Sequence, residues 1–192
     1  MTPGIGSAER VSTSSRLAAG GQVSALIALV AAAVWLGGLV VLGAVAAPTI
    51  FAVIAPPASA HAMTIVFRRF DSMAMSCAAI VLATEAIRPV FRLPFAPLDM
   101  ARLLSAVAAA ALAVLEGEKI SPRIAELHFA GVARGVGDSG MELARWHDWA
   151  ERCGQGQVLF LIAFIALHVM SLSRPIAPDG TEAMAARGRR GQ

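Results

Sequence analysis

Five polar side chains stand at the edges of apolar stretches and carry the clearest chemistry: Arg68, Arg69, Asp71, Arg123 and His147. In the four-span topology that the hydropathy predicts, all five fall at the same membrane face. Asp71 follows Arg68 by three residues, so the two side chains can pair on one face of a helix. A charge such as Asp71 within an apolar zone costs about 3 kcal/mol on insertion scales, so it should be paired. The set predicts a polar lock between helices, with a small anion or proton site as the alternative.

A second set of residues carries soft or imidazole donors. Met73 and Cys77 are four residues apart and share a helix face, and His168 and Met170 lie in the last apolar segment. Thioether, thiolate and imidazole groups suit Cu(I) and similar ions. Methionine and cysteine also pack as ordinary apolar residues, and we favour packing here. The sequence therefore predicts no bound metal and no other cofactor.

The sequence lacks the common hydrolase, metalloprotease and P-loop motifs. Gly135, Gly137 and Gly140 have the spacing of the dinucleotide fingerprint, but that motif needs a preceding strand, and a helix is predicted there. Glu116 and Glu118 are two residues apart and point to different sides of a helix, so we expect no paired carboxylates at the membrane face. These observations predict a protein that is not an enzyme.

The elements that position these residues are set by hydropathy. Hydrophobic residues make up 57% of the chain and charged residues 15%, against roughly 25% in ordinary globular proteins. Leu17 to Phe67 contains no charged side chain, and a membrane span needs about 20 apolar residues in a row. The chain is therefore predicted to be an all-α integral membrane protein with a four-transmembrane-helix bundle.

The pattern divides the chain into a membrane domain, residues 23–173, and two tails. Residues 1–22 are predicted to be a disordered polar tail and residues 174–192 an Arg-rich disordered tail. Two short amphipathic extramembrane helices, at about 122–134 and 140–153, are expected between the third and fourth spans. The four spans are predicted at about 23–47, 67–87, 98–115 and 156–173.

A few residues are predicted to shape the bundle. Trp35 lies in mid-span and is expected to wedge into a neighbouring helix, and Gly37 and Gly38 allow helices to approach closely. Pro48 is expected to bend or end the first span. Pro122, after Ser121, is expected to occupy the first position of an extramembrane helix.

The distribution of basic residues predicts orientation and partners. Nine basic residues fall on the side of both termini and seven on the other side, which favours cytoplasmic termini in the cell inner membrane. The arginines cluster at span ends, which indicates contact with lipid headgroups and no nucleic-acid partner. We expect the lipid bilayer as the main partner, with a homo-oligomer or a membrane-complex partner as further possibilities.

Several stretches together resemble a known family. In order and spacing they are similar to the domain of unknown function numbered 4149, the bacterial relatives of transmembrane protein 205. The likeness extends over roughly Val23 to Leu172. The stretches are Trp35-Leu-Gly-Gly, Ala47-Pro-Thr-Ile-Phe51, Val66-Phe-Arg-Arg-Phe70, Ser121-Pro-Arg-Ile124, and Trp146-His147 leading into Gln157.

The resemblance implies a four-helix membrane protein, and the association of the vertebrate member with platinum-drug resistance implies a soft-metal or efflux-related role. The chain departs from the family at Ala150 and Gly154, where a Ser and an Asn are frequent. We therefore predict a non-enzymatic membrane protein that handles, or modulates transport of, a small solute or soft metal. The alternative is a structural or assembly partner of a membrane complex that acts through its helix faces.

Overall fold

Six α-helices make up the part of the chain that the computed structural model describes, residues 5–88 and 97–172. Side chains are described for residues 19–88 and 97–171. No strand occurs within these ranges. Two single π-helical turns, Leu42–Ala46 and Glu116–Ile120, interrupt the helices. The helices are α1 (Ile5–Val41), α2 (Ala47–Val53), α3 (Ala58–Ile87), α4 (Pro97–Leu115), α5 (Ser121–Phe129) and α6 (Gly137–Leu172).

Four continuous helical rods are long and apolar enough to cross a membrane. They extend over Ala19–Val53, Ala58–Ile87, Pro97–Phe129 and Gly137–Ser171. Each π turn joins two α-helices into one rod, so that α1 continues into α2 and α4 continues into α5. The prediction of an all-α, four-span membrane protein is confirmed.

A single residue separates each π turn from a proline. Pro48 and Pro122 are each the second residue of the helix that follows the turn, α2 or α5. A proline has no N–H to donate to the carbonyl four residues earlier, and its ring crowds that carbonyl. The wider π turn is a change of register that lets the helix pass the proline without ending. Pro48 therefore does not end the first span, as the sequence had suggested it could, and Pro122 lies inside a rod and not at the start of a separate helix.

The two short amphipathic helices expected between spans three and four are not separate elements. The first is the end of the third rod and finishes at Phe129, because Gly131 takes a positive φ of 74°. The second is the beginning of α6, which starts at Gly137 and runs without a break into the fourth span. The two amphipathic segments are therefore continuations of the third and fourth spans.

The N-terminal segment differs from the prediction of a disordered tail. Helix α1 begins at Ile5, so residues 5–22 are helical. Adding residues to an existing helix costs far less than nucleating one, and this segment contains helix formers such as Ala8, Glu9 and Arg10. The predicted C-terminal tail, residues 174–192, lies outside the described residues.

Alanine dominates the core between the four rods. Ala28, Ala32 and Ala109 are fully buried beside Trp35 and Phe164, the two largest apolar side chains of the core. Small side chains let helix backbones approach closely in lipid, where no hydrophobic force drives helices together. The close packing therefore depends on small residues from several helices, with α4 packing most extensively on α6.

The predicted glycine contacts are only partly present. A Cβ on Gly38 would collide with the ring of Phe70 on α3, so a larger residue there would force that ring to move. A Cβ on Gly37 or Gly43 would meet no atom within 4 Å, so neither glycine is a close contact. Of Gly37 and Gly38, which the sequence predicted to let helices approach closely, Gly38 alone does so.

Exposed charges mark the borders of an apolar belt. Residues 70–87 of α3, 97–117 of the third rod and 153–172 of α6 carry charged residues only at buried or part-buried positions. Exposed Arg69, Lys119 and Arg152 stand just outside these segments. Segments of 18–21 residues are about 27–32 Å long at 1.5 Å per residue, which matches the hydrocarbon core of a bilayer.

Candidate functional site

A polar site lies just inside the belt border that Arg69 and Lys119 mark. Four rods contribute to it, and we call it the carboxylate site. Asp71 comes from α3, Glu116 from the second π turn, and Gln157 from α6, while Trp35 closes it from α1. Asp71 is 8% exposed, and Gln157 and Trp35 are 1% and 0% exposed.

A directed hydrogen-bond chain fixes one side of the carboxylate site. The indole N–H of Trp35 donates to Oε1 of Gln157 at 3.0 Å. Because indole N–H is a donor only, the Gln157 amide must present its oxygen to Trp35 and its NH₂ group elsewhere. That NH₂ group donates to Oε2 of Glu116. Trp35 therefore orients the donor that Glu116 receives.

Asp71 forms the other side of the site. It lies within hydrogen-bonding reach of the Ser121 hydroxyl and within electrostatic reach of Arg68. Its Oδ2 is buried and finds no hydrogen-bond partner among the residues described. Gly117 leaves room for Asp71, since a Cβ built there lies 3.5 Å from the Asp71 Cβ. One oxygen of Asp71 is thus buried without a hydrogen-bond partner in the part of the chain that the structure describes.

Asp71 and Glu116 lie within electrostatic reach of each other. The sequence predicted no carboxylate pair at this membrane face, because Glu116 was compared only with its neighbour Glu118. The structure places Glu116 within electrostatic reach of Asp71, on a different rod, and leaves Glu118 exposed. Glu116 opens a π turn, a feature frequent at functional sites. Two carboxylates in a low-dielectric interior favour a shared proton or a bound cation between them.

The five residues predicted as one polar cluster are distributed over four places. Asp71, with Arg68 nearby, belongs to the carboxylate site, and Arg69 is exposed at the belt border. Arg123 bonds Glu126 at 2.6 Å and Glu142 at 2.8 Å, so it joins α5 to α6. His147 faces His128 beyond the belt. The structure therefore brings Asp71 and Arg68 near each other and places Arg123 and His147 elsewhere.

A second polar layer, which the sequence reasoning missed, lies at the opposite end of the bundle. We call it the termini-end network. Arg102 is 1% exposed and makes a two-pronged contact with Glu85, at 3.0 and 2.8 Å. The same guanidinium bonds Asp99 at 2.8 Å and the hydroxyl of Ser171 at 3.0 Å. Arg88 completes the layer, 3.5 Å from Asp99.

The sequence did contain a signal for this network. Glu85 lies near the end of predicted span two, and Asp99 and Arg102 lie at the start of span three. A short connection between two spans puts these residues at one membrane face, where buried charges must find partners. Arg88 follows Glu85 by three residues but lies 4.0 Å from it, whereas Arg102, from the next rod, lies 2.8 Å from Glu85.

Charge balance separates a structural layer from a candidate functional one. The termini-end network contains two carboxylates, Glu85 and Asp99, and two guanidinium groups, Arg88 and Arg102. The carboxylate site contains two carboxylates and one nearby cation, Arg68, which is exposed. A balanced and bonded network stabilises helix contacts, whereas an excess of negative charge favours binding a cation. The carboxylate site is therefore the candidate functional site.

The four soft-donor candidates occupy different environments. Cys77 is part of the alanine-rich core, and Met73 and Met170 are 36% and 55% exposed on the outer surface. His168 is fully buried near Glu85. Glu85 lies eight residues, or about 12 Å, along α3 from Cys77, so His168 and Cys77 are at different depths. Within residues 5–88 and 97–172, no group of three or more His, Cys, Asp and Glu side chains could hold a metal ion.

Fold and site together define a multi-pass α-helical membrane protein with polar layers between its spans. Residues 30–133, more than half of the chain, match the family described as Domain of unknown function (DUF4149). The chain belongs to this family, which confirms the resemblance seen in the sequence. The matched segment includes Trp35, Asp71 and Glu116. No curated protein matches the chain, and no solved structure does.

Proposed function

We propose that this protein is a non-enzymatic membrane protein that binds a proton or a small hard cation between Asp71 and Glu116. Through that ion it handles, or modulates transport of, a small solute. The observation that carries the proposal is the pair of carboxylates at a junction of four helices, with Oδ2 of Asp71 buried and unbonded within the described structure. An unbonded carboxylate oxygen inside a membrane bundle is costly unless an ion or proton occupies its lone pairs.

The donor chemistry selects the class of ligand. Carboxylate and hydroxyl oxygens are hard ligands and suit protons, Na⁺, Mg²⁺ or Ca²⁺. Soft ions prefer thiolate and thioether sulfur, and Met73 and Cys77 are not part of this site. We therefore favour the small-solute half of the functional prediction over its soft-metal half.

A thermal-stability screen tests the binding. Protein in nanodiscs is heated at several pH values and with Na⁺, K⁺, Mg²⁺ or Ca²⁺. At one hundred times its Kd, a ligand adds about 2.7 kcal/mol of stability, which corresponds to about 5–10 °C in Tm. We expect one of these conditions to raise Tm in the wild type and not in the double variant Asp71→Asn, Glu116→Gln.

Glu118→Gln is the matched control, since Glu118 is exposed in the same π turn. This variant should respond as the wild type does. A stabilising effect of equal size in the double variant, or none in the wild type, contradicts the proposal. Flux of the stabilising ion into proteoliposomes then distinguishes transport from binding alone.

A second candidate function, assembly with a membrane partner, is favoured by the extension of α1 beyond the belt. We call residues 39–57 the apolar extension. It lies beyond the contact between Gly38 and Phe70. It carries no charged residue, and Val53 is 78% exposed. Exposed apolar patches mark interaction sites. If assembly is the function, Val53→Asp shrinks the native particle in mild detergent, while Asp71→Asn leaves it unchanged.

For localisation, we propose the inner membrane with both termini in the cytoplasm. A shared side for the two termini is supported by Gly21 and Ser24 of α1, which line one crevice with His168 near the end of α6. A protease-accessible tag at either terminus tests the orientation. Cleavage of that tag from outside intact cells contradicts it.

A further inference from the structure

Two histidines face each other between the last turn of α5 and the N-terminal third of α6. The Nε2 atoms of His128 and His147 are 3.5 Å apart, and the ring centroids are 5.4 Å apart. Both side chains are part-buried. His147 precedes Gln157 by ten residues on α6, or about 15 Å, so this histidine pair is separate from the carboxylate site.

Thr64 fixes the proton on His128. The Thr64 hydroxyl donates to the carbonyl of Ala60 at 2.8 Å, and its oxygen lies 3.0 Å from Nδ1 of His128. Because the hydroxyl proton is already committed to Ala60, Thr64 must accept from Nδ1–H of His128. In a neutral imidazole the other nitrogen then carries a lone pair. The Nε2 lone pair of His128 is therefore directed at His147.

This arrangement has the features of a metal-ligating histidine. Such histidines donate their second ring N–H to an oxygen acceptor, which fixes the tautomer and the ring orientation, as Thr64 does for His128. Two imidazole nitrogens on a tetrahedral ion, each about 2.0–2.1 Å from it, lie about 3.4 Å apart. The observed separation of 3.5 Å matches this spacing, while it is long for an N–H···N hydrogen bond.

The surroundings of the pair admit an ion from water. Arg134 and Asp148 form an ion pair at 3.1 Å nearby, and their side chains are 55% and 59% exposed. At His147 the electrostatic effect of Arg134 exceeds that of Asp148, so Asp148 offsets the positive charge only in part. His61 is engaged in an edge contact with the ring of Phe129, with centroids 4.6 Å apart.

We propose that His128 and His147 form a two-histidine site for a divalent transition-metal ion such as Ni²⁺, Cu²⁺ or Zn²⁺. Imidazole nitrogen is a preferred donor for all three ions. The described residues offer no third His, Cys, Asp or Glu ligand, so water or a dissolved anion completes the coordination. A bound ion joins the end of α5 to the start of α6 across the 130–136 connection. The site does not depend on the cation proposal for Asp71 and Glu116.

Calorimetric titration with Ni²⁺ tests the site. The full-length protein is purified without a polyhistidine tag and held in nanodiscs. We expect one ion per chain in the wild type. His128→Asn and His147→Asn should each lower the affinity at least tenfold, and Thr64→Val should lower it about 10–100-fold as an orienting residue.

His61→Asn serves as the matched control and should bind as the wild type does. The variant Asp71→Asn, Glu116→Gln should also bind Ni²⁺ normally, which separates this site from the proposed function. No binding by the wild type, or equal binding by the His128 and His147 variants, overturns the proposal.

A second measurement covers variants that fail to fold. Electron paramagnetic resonance of wild-type protein with one equivalent of Cu²⁺ should show coupling to two imidazole nitrogens. A spectrum with coupling to one nitrogen, or to none, overturns the two-histidine assignment.

Discussion

At the scale of single residues, Trp35 determines how the carboxylate site is oriented. It is fully buried, and its indole N–H directs the amide of Gln157. Trp35→Phe removes that donor and leaves Oε1 of Gln157 buried without it. We expect the free energy of unfolding to fall by about 1–3 kcal/mol. Unfolding in a denaturing detergent measures it. Trp149→Phe, at a position 54% exposed, is the control and should stay within about 0.5 kcal/mol. Equal losses in the two variants contradict the prediction.

Arg102 determines the stability of the termini-end network. Arg102→Gln removes the charge that Glu85 and Asp99 both bond, and leaves two carboxylates buried beside Arg88. Breaking a buried pair from one side costs about 3–5 kcal/mol. The same unfolding measurement checks this, with Arg145→Gln at an exposed position of α6 as the control. If Arg102→Gln has the same free energy of unfolding as the wild type, the termini-end network does not stabilise the fold.

At the scale of elements, α1 and α3 pack closely at one glycine. Gly38→Ala forces the ring of Phe70 to move, and overpacking of this kind costs about 1–3 kcal/mol. Gly37→Ala is adjacent and points into open space, so it should be neutral or slightly stabilising. Thermal unfolding of both variants in nanodiscs distinguishes them. Similar Tm values in the two variants contradict the close approach at Gly38.

The sequence predicted the elements better than their ends. Hydropathy identifies four spans because a helix that crosses lipid must satisfy its backbone internally and present a long charge-free face to the hydrocarbon. The continuations through Pro48 and Pro122 could not be predicted, because a π turn leaves no residue pattern of its own. The sequence gives the position of each proline, but it does not show whether the helix ends, bends or continues there.

The candidate site could be predicted from the sequence only in part. Asp71 stood out because a carboxylate in an apolar segment must find partners. Its pairing with Glu116, and the link from Trp35 through Gln157, depend on how four rods rotate about their axes. Periodicity gives each rod an inward face, but it does not say which inward residues of different rods meet at one depth. These contacts required the structure.

At the scale of the whole molecule, the exposed charges predict the depth of each rod in lipid. Spin labels within the belt should be accessible to oxygen dissolved in lipid, and labels just outside it to a water-soluble nickel reagent. Each belt position has a control beyond the border of the same rod. Nickel access to the belt labels in liposomes contradicts the membrane placement. The belt positions are Ile80, Leu104 and Leu159, and the controls are Arg69, Glu118 and Arg152.

The most direct test of the carboxylate site is infrared difference spectroscopy of the protein in lipid. Acidification, or addition of the ion found by the stability screen, should change a carboxyl band, and that change should disappear in the double variant Asp71→Asn, Glu116→Gln. Glu118→Gln should keep it. The same band change in the wild type and the double variant would show that Asp71 and Glu116 take up neither a proton nor a cation.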